Sequence, residues 1–277
     1  MSSTRNTIGL AGPTPKKALG QHWLEDETSL LAMLQAAQVG PDDTVLEVGP
    51  GLGTLTKHLV RAAKQVVAVE FDEVLARDLP VRVPADNLRL VQQDILRFDL
   101  TKLPADYKVV ANIPYYLTSN LVRVLSESAN PPSRVALLVQ KEVAERIAAK
   151  PGDMSVLSVT AQFYWQVSLG RVVDAELFIP PPKVDSQIVS LTRRSRSVAD
   201  MAINPEPKLL FRLVKAGFGE RRKTLRNALS GGMHLTKDQT EALLHQAHID
   251  PGLRAQTLTM EQWHQLYVAY LDKYLTS

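Results

Sequence analysis

Four residues, Asn112-Ile113-Pro114-Tyr115, carry the side chains best suited to chemistry in this chain, and they follow an apolar run, Val109-Val110-Ala111. Such a run reads as a buried strand, and open α/β sheets bind ligands at the carboxyl ends of their strands. An Asn side chain and the carbonyl before a proline can together accept both hydrogens of an exocyclic amine, while a neighbouring Tyr can stack on the ring that carries it. The tetrapeptide therefore reads as a grip for an aminated base. It also reads as an Asn-x-Pro turn closing a strand, and taken alone it leaves both readings open.

A second motif lies upstream. Glu47-Val48-Gly49-Pro50-Gly51-Leu52-Gly53-Thr54 follows the apolar Val45 and Leu46 and leads into a helical pattern from Leu55 to Lys64. Strand, glycine turn and helix start thus come in succession, and the glycines let the backbone turn tightly and approach a ligand closely. A further strand, Gln65 to Val69, ends in Glu70. That is about 20 residues past the first glycine, the spacing at which an acid meets a ribose diol. Nicotinamide enzymes share this arrangement with a G-x-G-x-x-G turn, whereas Gly49, Gly51 and Gly53 are spaced G-x-G-x-G with Glu47 two positions ahead. A carboxylate there sits badly beside a pyrophosphate. It suits a ligand with a cationic portion, such as the ammonium of S-adenosylmethionine. A third strand, Leu88 to Val91, leads through Gln92 and Gln93 to Asp94. Asp94 is placed either to accept from an adenine amino group or to cap the next helical turn.

The elements that hold these residues alternate strand and helix from about Asp43 to Lys150, as in a parallel sheet covered on both faces. Arg134 to Val139 reads as a fifth strand, Lys141 to Ala149 as an amphipathic helix, and Gln166 to Val173 and Val184 to Thr192 as two more β-like runs flanking Phe178-Ile179-Pro180-Pro181-Pro182-Lys183. From Pro205 onward the pattern is helical, with Gly231-Gly232 and Pro251-Gly252 as breakers. The expected organisation is a flexible tail over residues 1–16, a catalytic α/β domain over 17–197 and a small helical domain over 198–277.

Composition sets the outer bounds. The chain has 277 residues, 45% of them hydrophobic, which is ample for a large domain and a smaller one. The absence of cysteine removes disulfides and thiolate metal sites and agrees with a cytoplasmic location. The only close histidine pair, His245 and His248, lacks a carboxylate at ligand spacing, so both read as surface or cap residues and no metal is expected. No apolar run reaches the roughly 18 residues that a membrane span requires. Net charge is +3, but it is unevenly spread: Arg193 to Arg226 holds ten basic and three acidic residues, a local +7 that leaves −4 for the remainder. Its sharpest part, Arg221-Arg222-Lys223 with Arg226, is preceded by the apolar Phe211, Leu213, Val214 and Phe218 and reads as a helix docked by one face and basic on the other. A charge run is often only a solvated face. Beside a grip for a base, phosphate binding is the better explanation.

Together these motifs resemble the small-subunit (16S) ribosomal RNA adenine dimethyltransferases, the family of the bacterial kasugamycin-sensitivity protein, over about Lys17 to Leu266. Gly20-Gln21-His22-Trp23-Leu24 is similar to the family's N-terminal cofactor motif, Glu47 to Thr56 to its glycine loop, and Asn112 to Tyr115 to its catalytic tetrapeptide. Lys183-Val184-Asp185-Ser186 and Arg221 to Asn227 resemble two further signatures. The chain departs from the family pattern at His22, where Asn is frequent, and at Trp23, where Phe is frequent. Large-subunit (23S) adenine dimethyltransferases often share the tetrapeptide; the basic signature and Gln140 to Arg146 favour the small-subunit group.

The resemblance implies a Rossmann-like S-adenosylmethionine-dependent methyltransferase sheet with a small C-terminal helical domain. It also implies dimethylation at N6 of two adjacent adenosines near the 3′ end of small-subunit ribosomal RNA, within an assembling subunit, by a monomer. Gln21, His22, Leu24, Glu47, Gly49, Gly51, Glu70, Asp94 and Asn112 would bind the cofactor. Asn112, Ile113, Pro114, Tyr115 and Phe178 would form the catalytic set, with Tyr115 and Phe178 stacking on an extruded adenine. Phe178, standing before a proline run, reads equally as core packing. Arg221, Arg222, Lys223 and Arg226 would meet RNA. The rival readings are a ribosome-assembly binding protein with little turnover, the large-subunit dimethyltransferase, and a methyltransferase acting on an amine in DNA or protein.

Overall fold

The computed structural model describes residues 21–194, 207–220 and 222–274. The 1–16 tail, the expected domain boundary at 197/198 and Arg221 lie outside the described residues. From β1 (Trp23–Leu24) and α1 (Glu27–Ala36) the chain passes through β2 (Thr44–Val48), α2 (Thr54–Ala62), β3 (Gln65–Glu70), α3 (Glu73–Arg82), β4 (Leu88–Gln92) and β5 (Lys108–Asn112). It continues with α4 (Thr118–Glu127), β6 (Arg134–Gln140), α5 (Lys141–Ile147), α6 (Val156–Tyr164), β7 (Trp165–Val173), β8 (Phe178–Ile179) and β9 (Ser186–Arg193). Four helices follow: α7 (Pro207–Phe218), α8 (Leu225–Met233), α9 (Lys237–Gln246) and α10 (Met260–Tyr274).

Seven strands form one sheet in the order β4-β3-β2-β5-β6-β9-β7, the first five mutually parallel and β9 antiparallel to both of its neighbours. The apolar runs are continuous because both faces are covered. Along β5, Val109 and Ala111 join the core that contains Leu121 and Leu125 of α4, while Val110 joins the opposite core with Met33 of α1 and Leu59 of α2. Strand order reverses between β2 and β5, so the crevice at their carboxyl ends is where this topology places a ligand. The register brings the tips together: Val48 pairs with Val69, Glu70 with Gln92, and Glu47 with Val110 two residues before Asn112. β1 and β8 form a separate antiparallel pair, Leu24 opposite Phe178, which carries the N-terminal segment to that same edge.

The C-terminal helices enclose a core of their own built on Leu213, Leu229, Leu243, Trp263 and Leu266, to which Met154 and Val159 also contribute. Gly231 and Gly232 do not break the chain as expected. Helix α8 runs through both and ends at His234, which takes a left-handed conformation (φ 57°). The small residue at 232 serves packing instead, since a Cβ there would come within 2.5 Å of the Ala216 Cβ on α7.

Gly53 ties the glycine turn to the frame. Its φ is +81°, and an added Cβ would lie 2.7 Å from Val83 Cγ2 and 2.8 Å from Leu79 Cδ1, so α3 packs directly onto the turn. Gly53→Ala should cost about 1–3 kcal/mol through overpacking and a disfavoured backbone conformation. Equilibrium denaturant unfolding checks this; an unshifted midpoint would mean that α3 yields freely.

Candidate functional site

The strand tips, the glycine turn and the N-terminal segment enclose a cleft of about 230 Å³. Its walls include Gln21, His22, Leu24, Glu47, Gly49, Gly51, Glu70, Asp94, Asn112, Ile113, Pro114 and Tyr115. The fold thus collects residues from four strand ends and one preceding segment, as the spacing of the motifs suggests.

Glu47 is the electrostatic oddity of the site. It is 1% exposed and neither carboxylate oxygen accepts a hydrogen bond from a described residue. Burial pushes its pKa up from 4.5 to about 8; the Thr56 hydroxyl, which faces it without a hydrogen bond of normal geometry, opposes the shift, and nearby Glu70 adds to it. A carboxylate without a donor is costly away from water, and a cationic ligand group in the adjacent cleft would supply what is missing. Gly49 lines the same corner with φ +67°, and a Cβ added to it would meet nothing within 4 Å, so its backbone is open to close approach.

Glu70 is held differently. Its Oε1 accepts from the Asp72 amide at 2.9 Å and its Oε2 from the Gly51 amide at 3.1 Å, so the carboxylate is locked at the strand tip and braces the glycine turn. Burial raises its pKa, and the amides of Asp72, Gly51 and Phe71 pull it back. Each oxygen retains capacity for a hydroxyl donor. Asp94 has both of its anticipated roles: Oδ1 caps the turn Ile95–Arg97 by accepting from the Leu96 amide at 2.9 Å, and the residue still lines the cleft.

At the end of β5, the Asn112 side-chain amide donates to the His22 backbone carbonyl at 3.3 Å. That bond uses the amide's donor end and leaves Oδ1 without a donor among the described residues. The Ile113 side chain is buried while its carbonyl accepts from no described residue, and Pro114 has no N–H to offer. Two uncommitted acceptors therefore stand side by side at the cleft. The Tyr115 hydroxyl is 3.0 Å from Ser186 Oγ, its ring lies 6.0 Å from that of His22 at an interplanar angle of 17°, and His22 Nδ1 donates to the Pro180 carbonyl at 2.7 Å. Burial raises the Tyr115 pKa and keeps its hydroxyl protonated.

Some expectations change. Phe178, 2% exposed, is not on the cleft wall: its pairing with Leu24 turns the ring into the core with Leu30 and Met33, so it supports the N-terminal segment from below. Arg222 and Lys223 lie in the turn between α7 and α8, not on a docked helix. Arg222 is exposed, Lys223 pairs with Glu220 at 2.5 Å, and Arg226 is committed to Glu241 at 2.7 Å. Sequence reasoning missed Phe71 and Tyr116, which stand exposed on the cleft rim, and the role of Ser186 under Tyr115. The available signals were that Phe71 directly follows the strand-tip Glu70 and that Tyr116 directly follows Tyr115 of the tetrapeptide. Among the described residues there is no cluster of potential metal ligands, and no helix is long and apolar enough to cross a membrane.

Comparison with known proteins finds matches along most of the chain. Residues 13–272 match the family model described as ribosomal RNA adenine dimethylase. The chain is 42% identical over 261 residues to a ribosomal RNA small subunit methyltransferase A of Dehalococcoides mccartyi, covering 93% of this chain and 89% of that protein. It is 38% identical to the protein of the same description in Clostridioides difficile, with coverage of 90% and 89%. Among solved structures, a 23S rRNA methyltransferase, ErmE, superimposes with a TM-score of 0.70 at 28% identity over 91% of this chain and 100% of that one. A dimethyladenosine transferase from Plasmodium falciparum shares the fold, with a TM-score of 0.77 at 24% identity over 90% and 98%.

The buried Glu47 generates a pH signature. Between 4.5 and about 8 the folded protein holds a proton that the unfolded chain has released, so stability falls as pH rises through that window. Glu70, shifted in the same direction, adds to the trend. The melting temperature of the ligand-free protein should drop from mildly acidic to mildly alkaline pH, and Glu47→Gln should flatten the decline. An unaltered profile in the variant would show that the carboxylate is solvated.

Proposed function

Since the chain belongs to the ribosomal RNA adenine dimethylase family, we infer that it uses S-adenosylmethionine to dimethylate N6 of adenosines in small-subunit ribosomal RNA, and that the cleft at the β2/β5 tips is where it does so. The observation that carries the site assignment is the tethered Asn112, whose side chain is oriented by His22 so that its oxygen and the Ile113 carbonyl are both free to accept.

Glu47 would receive the cofactor's ammonium, Glu70 its ribose hydroxyls and Asp94 its adenine amine, with Gln21, His22, Leu24, Gly49 and Gly51 completing the walls. When bound, the cofactor supplies an electrophilic methyl group on a sulfonium. Asn112 Oδ1 and the Ile113 carbonyl accept the two N6 hydrogens of the target adenine. They thereby turn the nitrogen lone pair, otherwise delocalised into the ring, toward the methyl. Tyr115, fixed by Ser186 and facing His22, provides the surface on which the extruded base stacks. Rate then comes mainly from positioning. No strong general base is required, because the nitrogen becomes far more acidic as it is methylated and can release its proton to water. The monomethylated amine keeps one hydrogen, enough for one of the two acceptors to hold it for a second transfer.

The substrate we propose is an assembling small subunit, methylated at two adjacent adenosines near the RNA 3′ end by a cytoplasmic monomer. The C-terminal helices would contribute RNA contacts through Arg222 and Lys223, and Arg221 is a further proposed contact. Arg226, already paired with Glu241, would act through the local fold.

Asn112→Ala should leave the protein folded and able to bind RNA while lowering methyl transfer about a hundredfold or more. Single-turnover transfer of labelled methyl to unmethylated small subunits measures this. Rates near wild type would reduce the tetrapeptide to a turn.

A further inference from the structure

Two cations from distant parts of the chain converge on one aromatic ring. Arg123 Cζ, on α4, lies 5.7 Å from the ring centroid of Phe211, and Lys215 Nζ, one helical turn along from Phe211 on α7, lies 5.2 Å from the same centroid. Both cationic side chains are exposed, and neither pairs with a carboxylate among the described residues. Three neighbouring basic residues are already committed: Lys223 pairs with Glu220, Arg226 with Glu241, and Arg212 donates to the Tyr270 hydroxyl at 3.1 Å. The negative face of the ring draws each cation in, but the two repel one another. An anion bound between or beside them would relieve that repulsion.

Their location suggests which anion. Helix α4 begins directly after the turn Tyr115–Leu117 at the cleft rim, and Arg123 lies about 7.5 Å along its axis from Thr118. Phe211 and Lys215 belong to the C-terminal helices. The cluster thus joins α4, which starts at the cleft rim, to the C-terminal helices. We propose that Arg123 and Lys215, gathered by Phe211, form a phosphate-binding site for the substrate RNA backbone flanking the target adenosine. The site deepens, and rests on, the reading of the cleft as the place where an RNA adenosine is methylated. Its contacts are sequence-independent and fix the strand's path.

The test is the salt dependence of binding between the full chain and unmethylated small ribosomal subunits. Compared with wild type, Arg123→Gln and Lys215→Gln should each flatten the slope of log affinity against log salt by about 0.7 to 0.9, and the double variant by about twice that. Arg123→Lys, which keeps the charge, should retain the wild-type slope. Cofactor affinity should not move in any of them. A double variant with the wild-type slope overturns the proposal, whatever its melting temperature, and leaves the cluster as a brace between helices. Methyl transfer by the wild-type protein is read separately. Its absence would refute the functional reading, whereas transfer together with an unchanged slope in the double variant would refute the phosphate site alone.

Discussion

A carboxylate withdrawn from water with nothing to pair it, Glu47, is the constraint around which this molecule is arranged. The parallel sheet buries it at the tip of β2, and its protonated state is what the free protein tolerates. Such a group adds no stability above the ordinary carboxylate range. Its presence makes physical sense as a counter-charge kept in reserve for a cation. The surroundings are built to the same end: Gly49 leaves the corner open, and Glu70 is pinned at the strand tip by two backbone amides, where its negative charge adds to the demand for a cation at Glu47. The site is pre-organised at the expense of local electrostatic comfort.

The second organising contact is the bond from Asn112 to the His22 carbonyl. It joins residues 90 apart and makes the N-terminal segment part of the catalytic geometry. That segment is anchored by the β1/β8 pair, by the buried Leu24 and Phe178, and by the bond from His22 to Pro180. Core packing in one place therefore sets the orientation of an amide in another. His22 performs this through its backbone, which explains why the departure from Asn at this position is compatible with the site, while its ring is free to face Tyr115.

Much of this was legible from the residues. The continuous apolar runs marked strands buried on both faces, and the glycine turn with an acid after the next strand placed the ligand edge. What escaped depended on partners distant in sequence. Nothing near Arg226 reveals that it will pair with Glu241, and nothing near Phe178 reveals that Leu24 will cover it. Gly231 and Gly232 look like breakers because their lack of side chains is a local cue, whereas the helix is rescued by tight contact with Ala216. Asp94 could be read two ways because a carboxylate has oxygens enough to cap a turn and face a ligand together. Nothing near Arg123 in sequence marks it out, because the ring it faces belongs to Phe211, in a distant helix.

Glu47 can be interrogated directly by titrating the protein with S-adenosylmethionine in a calorimeter slightly below neutral pH, in buffers of different ionisation enthalpy. If Glu47 ionises to receive the ligand's ammonium, binding releases close to one proton per ligand, and Glu47→Gln abolishes that release while weakening affinity. Binding of full strength with no proton exchanged in the wild-type protein, or with the same release from Glu47→Gln, would contradict the role assigned to this carboxylate and remove the reason for its burial.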